Sequence, residues 1–299
     1  MTRFDRRRFL TITAAAMALP GAAAAASVAR WTGRALGGPV SMQLAGLNDA
    51  EAQPIFAAVE AELTRLEAIF SLYQDSSELV RLNRDGQLSA PSPELLSVLS
   101  LCSALHSASD GAFDPSIQPL WRAIALNKEA DEVSRAKQAV GWLRVRFDTS
   151  KVRLPDEGAL TLNGIAQGAI TDAVVDLLKS HGLQNVLVDM GEIAAVGNGP
   201  NGPWNIGVAL PDGTLVHRLT AQDRAVATSV PNAMTIGSEH CHILTPTGAR
   251  ARAKIASVSA PRAVLADGLS TALCLVPADR SAGIIQAFNG ARLEYLEQA

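Results

Sequence analysis

"LNGIAQGAITDAVVDLLKSHGLQNVLVD", residues 162–189, passes from a strand through a glycine-punctuated turn into a helix and out into a second strand. Apolar residues at helical spacing predict the helix over 168–181, entered through Gly164 and Gly168 and left at His181-Gly182, with the strand over 185–189. Outward from this unit, short strands dominate. Residues 145–154 and 159–162 predict a hairpin across a 155–158 turn, and 204–210, 216–219 and 225–229 predict further strands. A strand at 40–44 follows Gly37-Gly38-Pro39, and helices are expected over 54–70, 92–108 and, broken near Asn127, 121–140. The stretch 70–86 reads as a turn, a short helix and a glycine stop. The tail reads as strand 253–259, helix 267–276 and a helix over 281–288. Strands that follow one another through short turns, with helices between, predict a mixed α+β fold with largely antiparallel sheets and packed helices. No internal repeat interrupts that pattern.

The first residues carry a different message. "MTRFDRRRFLTITAAAMALPGAAAAAS" has a basic start, a short apolar stretch and small residues at 22–26 that suit a signal peptidase. Arg6, Arg7, Phe9 and Leu10 stand in twin-arginine order, so residues 1–26 read as a leader for export of a folded protein to the periplasm. The apolar stretch is shorter than the about 20 residues that span a bilayer, so no stable membrane anchor is expected. One domain over 27–299 would remain. With 26 Lys and Arg against 29 Asp and Glu, the net charge is −3, and losing the leader's arginines makes the rest more acidic. A nucleic-acid partner is not indicated. Cys102, Cys241 and Cys274 have no metal-ligand spacing and leave room for one disulfide or for buried free thiols.

Four stretches could carry chemistry, and each has two readings. The glycines at 164 and 168 either bring backbone and a helix N-terminus to an anion or make an ordinary tight turn. In "SDGAFDPSIQPLW", 109–121, Asp114 before Pro115 either faces a ligand or caps its turn. In "EHCHILTPTG", 239–248, strand alternation places His240 and His242 on one face, as metal or acid–base groups or as idle half-exposed side chains. In "LADGLSTAL", 265–273, Asp267 and Thr271 lie at i and i+4, giving an oxygen-only set suited to Mg²⁺, or else Asp267 is the N-cap of a helix from Gly268.

In this order, "SLYQDSSELVRLN" (71–83), "GAFDPS" (111–116), "NGIAQG" (163–168), "ATS" (227–229), "HILTPTG" (242–248) and "ADGLST" (266–271) resemble the FAD:protein FMN transferase family, ApbE. The resemblance runs from about residue 36 to 276, and "LNGIAQG" with "VLVDMGEI" (186–193) resembles the NosX-type members associated with nitrous-oxide respiration. It implies that FAD binds with Mg²⁺ on its pyrophosphate and that FMN passes to a Thr or Ser hydroxyl of a membrane-associated redox protein, releasing AMP. It further implies Mg²⁺ ligands at Asp267, Thr271 and the Gly164 carbonyl, and a base at His242. FAD contacts are implied at Leu36, Tyr73, Ala112, Phe113, Asp114, Thr161, Gln167 and Leu244.

The chain departs from the family pattern at Thr245, where the family has Asp; at Thr161, where an acid opens the glycine loop; at Gln167, usually Lys; and at Val230, usually Gly. The lost acids at Thr161 and Thr245 motivate one alternative, an FAD carrier or maturation accessory without transfer; a further alternative is an FAD pyrophosphatase with water as acceptor.

Overall fold

The computed structural model describes residues 27–299, so the export leader read over 1–26 lies outside the described residues. The chain enters as β1 (Val28–Ala35) and β2 (Gly38–Ala45), joined by Leu36 and Gly37. Both have positive φ, +47° and +84°, which suits a tight hairpin between right-twisted strands. Asn48 and Glu51 form a capping box that starts α1 (Asp49–Phe70), whose buried stripe includes Phe56, Val59, Leu63 and Leu66. Ser77 caps α2 (Glu78–Asp85), which stops at left-handed Gly86. Next come β3 (Gln87–Ser89) and α3 (Pro93–Ala108), capped by Ser92. Then α4 (Gln118–Ala125) and α5 (Ala130–Ala139) are separated at Asn127, where φ is +49°.

The second half runs β4 (Arg146–Phe147), β5 (Lys151–Arg153), α6 (Ala166–Ser180), β6 (Val186–Asp189), β7 (Ile193–Val196), β8 (Trp204–Ala209), β9 (Leu215–Ala221) and β10 (Arg224–Ser229). It closes with β11 (Thr235–Ile236), β12 (His240–Cys241), β13 (Ala253–Ala260), α7 (Ala263–Leu273), α8 (Ala278–Gln286) and β14 (Arg292–Gln298). Seven strands form one sheet in the order β1-β2-β6-β7-β10-β13-β14, and every neighbouring pair is antiparallel. Period-two alternation divides its faces. Val186, Val188, Ala194 and Val196 join the core with α1, α3, α6 and α7, while Leu187, Ile193, Ala195 and Val226 pack under Trp204 and Ile206 of the β8–β9 hairpin. The fold is α+β, as the strand spacing predicts.

Two expectations fail for one physical reason, which is partnering from a distance. Residues 159–162 form no strand, and the hairpin is instead β4–β5 across residues 148–150, with β3 added. The Asn83 amide occupies both backbone groups of Leu160, donating to its carbonyl at 2.8 Å and accepting its N–H at 2.7 Å. Likewise α7 starts at Ala263, four residues before the predicted Asp267. The Asp172 carboxylate of α6 accepts the Ala263 and Val264 N–H groups at 2.8 and 3.0 Å and so caps a helix 91 residues away. Strands β1, β7 and β14 are additions that the sequence reading lacks.

Candidate functional site

At the start of α6 and along α7, an open cleft of about 170 Å³ lies between the β1–β2 hairpin, the segment after Phe113 and the end of β10. Helices α6 and α7 approach closely because residue 168 is glycine. A Cβ there would lie 2.4 Å from the Ala263 carbonyl oxygen. The two helices exchange carboxylates: Asp172 caps α7, and Asp267 Oδ2 accepts the Gly168 N–H at 2.9 Å. The helix start at Gly168 therefore offers that N–H to Asp267 rather than to an anion, and the anion expectation there is corrected. Asp267 is not the cap of its own helix, since it stands inside α7.

Asp267 is 3 % exposed and lines the cleft, with Oδ1 making no hydrogen bond among the described residues. Burial pushes its carboxyl well above the usual range, the Gly168 bond opposes that, and nearby Asp172 adds to it. One turn on, Thr271 faces the same cleft, and its Oγ1 lies 3.3 Å from Ser229 Oγ, which also bonds Ser270 Oγ at 2.8 Å. Gly164 completes the group. A Cβ on it would sit 2.9 Å from Thr271 Oγ1, so only glycine lets this backbone come so close. The Asp267 carboxylate, the Thr271 hydroxyl and the Gly164 backbone thus meet in one cleft, with no cationic side chain paired to Asp267 among the described residues, and such an oxygen-bearing set fits a divalent cation.

His242 stands on another wall. Its N–H donates to the Met234 carbonyl at 3.1 Å, and the Trp121 indole N–H donates to its carbonyl at 2.9 Å. The ring's Nδ1 is buried with no partner among the described residues, and burial lowers the imidazole's pKa, so the ring is held neutral. His240 belongs to β12 and is not among the residues that line the cleft, whereas His242 is. Asp114 lines the cleft and also caps its turn, accepting Ser116 N–H at 2.8 Å and Ser116 Oγ–H at 2.6 Å. The capping reading holds, and Asp114 Oδ2 accepts the Trp142 N–H at 3.4 Å.

The ApbE family model matches residues 36–294. The chain belongs to the ApbE family. Among ApbE relatives, the FAD:protein FMN transferase of Haemophilus influenzae is 27 % identical over 259 residues, covering 77 % of this chain and 75 % of that protein. The protein of the same name in Vibrio cholerae is 28 % identical, covering 80 % and 78 %. The flavin transferase ApbE structure from Vibrio cholerae superposes with a TM-score of 0.80 at 23 % identity, over 92 % of this chain and 97 % of that one. The flavinyl transferase ApbE from Pseudomonas stutzeri, in its apo form, gives 0.75 at 26 % identity, over 87 % and 88 %.

Of the residues singled out in this ApbE chain, Leu36, Phe113, Asp114, Thr161, Gly164, Gln167, His242, Leu244, Asp267 and Thr271 line the one cleft. Ala112 precedes that lining. Tyr73 is 57 % exposed and is not among the lining residues. Gln167 lies over Gly191, where φ is +102° and a Cβ would meet its Nε2 at 2.1 Å. The sequence reading missed Glu192, which is 7 % exposed and lines the cleft. Burial raises its carboxyl strongly, the charges of Asp267 and Asp189 add to that, and the Thr228 backbone opposes it. A buried acid in "VLVDMGEI" between two apolar strands was the available signal. The three cysteines are buried free thiols, so the disulfide option falls away.

Proposed function

We propose that this chain transfers FMN from FAD to a Thr or Ser hydroxyl of an acceptor protein and releases AMP. The observation that carries the reading is the convergence of Gly164, Asp267 and Thr271 in the cleft that His242 also lines. In the step, the acceptor oxygen forms a bond to the FMN phosphorus while the bond from that phosphorus to the AMP phosphate breaks. Asp267, Thr271 and the Gly164 main chain would hold Mg²⁺, which when bound supplies positive charge against the pyrophosphate oxygens. His242, which lines the cleft and whose Nδ1 has no hydrogen-bond partner among the described residues, is the base that takes the hydroxyl proton. Leu36, Phe113, Gln167 and Leu244 supply the walls that orient the dinucleotide.

The twin-arginine order at Arg6 and Arg7 supports export to the periplasm, with residues 27–299 as the transferase domain and a membrane-associated redox protein as acceptor. The "LNGIAQG" and "VLVDMGEI" stretches support a NosX-like role in nitrous-oxide respiration. Incubation with FAD, Mg²⁺ and a Thr-bearing redox domain tests the reading. A fluorescent acceptor band after denaturing electrophoresis that disappears with EDTA is expected. A carrier reading draws on Thr245, whose hydroxyl is engaged inside its own loop, 2.8 Å from Thr247 Oγ1 and 3.0 Å from the Ala249 nitrogen. Tight FAD binding with no band selects the carrier, and AMP release without acceptor selects the pyrophosphatase.

A further inference from the structure

The mouth of the cleft is built from pieces far apart in the chain. Leu36 and Gly38 reach it from the β1–β2 hairpin, and behind them the loop at 71–77, which supplies no residue to the cleft lining, leaves the end of α1. Glu67, in the last turn of α1, bonds both. Its Oε1 accepts the Leu36 N–H at 2.7 Å, and its Oε2 accepts the Gln74 side-chain amide at 3.2 Å. Leu36 has φ +47°, in the left-handed region that a leucine avoids, so the hairpin tip needs an outside hold. The loop on the other side is already stiff. Ser71 Oγ accepts the Tyr73 N–H at 3.0 Å, and Ser77 Oγ–H donates to the Ser71 carbonyl at 2.6 Å.

We infer that Glu67 is a positioning residue for the flavin dinucleotide, tying the cleft-lining hairpin tip that bears Leu36 to the end of α1 and to Gln74 of the loop that follows it. The inference rests on the FAD-binding reading above. Both carboxylate oxygens are turned to protein donors, so the charge of Glu67 holds the hairpin tip without facing an anionic ligand. Without that hold the tip moves independently of α1, and ordering it becomes part of the cost of binding FAD. The chemical step, carried by residues on other walls, is untouched.

The test is FAD binding by flavin fluorescence, alongside transfer kinetics, for wild type, Glu67→Leu and Glu67→Gln. Glu67→Leu is expected to raise Kd and KM for FAD about tenfold, with kcat at saturating FAD within about twofold, and Glu67→Gln, which keeps an acceptor for Leu36, recovers most of the affinity. Unchanged FAD affinity in a folded Glu67→Leu protein overturns the inference. So does a fall in kcat with no recovery by glutamine, which marks a merely structural residue. Should Glu67→Leu fail to fold, Gln74→Leu removes the other end of the tie, and an unchanged Kd there overturns the inference equally. A wild-type protein that binds no FAD overturns the functional reading, and that result is seen before any variant is compared.

Discussion

Asp267 does two jobs with two oxygens. One holds the first turn of α6 through Gly168, and on the proposed reading the other would hold the cation. Asp267→Asn keeps an acceptor for Gly168 and loses the charge, so flavin transfer should fall on the order of a hundredfold while the thermal midpoint moves little. Unchanged Mg²⁺ dependence in that variant would remove Asp267 from the metal set. His242 carries a pH prediction. Its imidazole is held below the ordinary 6.5 by burial, so it stays neutral as pH falls past that value. The acidic limb of kcat/KM should lie below 6.5 and be absent in His242→Gln. Asp189 carries a stability prediction with the opposite sign from the usual surface carboxylate. Burial lifts it from 3.8 to about 6, so the folded protein holds a proton there that the unfolded chain releases. Its contribution to stability is present below pH 3.8 and is lost as pH rises to about 6. Asp189→Asn should therefore gain on the order of 1 kcal/mol relative to wild type between pH 4 and pH 7, measured by chemical denaturation.

Among the elements, α6 and α7 decide whether the site exists. Gly168→Ala drives a methyl to within 2.4 Å of a backbone oxygen, which cannot swing away, whereas Gly268→Ala meets Leu105 Cδ1, the far end of a flexible side chain, at 2.3 Å. The first should cost about 2–3 kcal/mol and part Asp267 from the α6 turn, and the second about 1 kcal/mol with transfer largely kept. Equal losses in urea denaturation would show that backbone contact is not what sets this crossing. The same pair of helices marks where local reading stops. The starts of α2 and α3 are legible because Ser77 and Ser92 cap from within the chain beside them, and Gly86 ends α2 in a left-handed turn. The start of α7 is illegible because its cap, Asp172, comes from another helix, and residues 159–162 fail as a strand because Asn83 takes their partners' place.

For the molecule as a whole, binding and stability are linked. FAD with Mg²⁺ should raise the thermal midpoint by more than the sum of either alone, since a ligand at a hundred times its Kd adds about 2.7 kcal/mol and each is expected to complete the other's site. Additive shifts would argue for two separate sites. The sequence by itself determined the α+β class, most helices, and six ordered stretches, five of which bring residues into the cleft, because caps, turns and apolar periodicity act between neighbours in the chain. Only the tertiary structure decided which strands adjoin, with β2 against β6 and β13 against β14, and which acids are buried. It also exchanged Asp172 and Asp267 between helices, brought Glu192 to the cleft and tied Leu36 to Glu67. Those outcomes depend on contacts between residues tens of positions apart, whose energies come from packing and desolvation and leave no periodic mark on the chain.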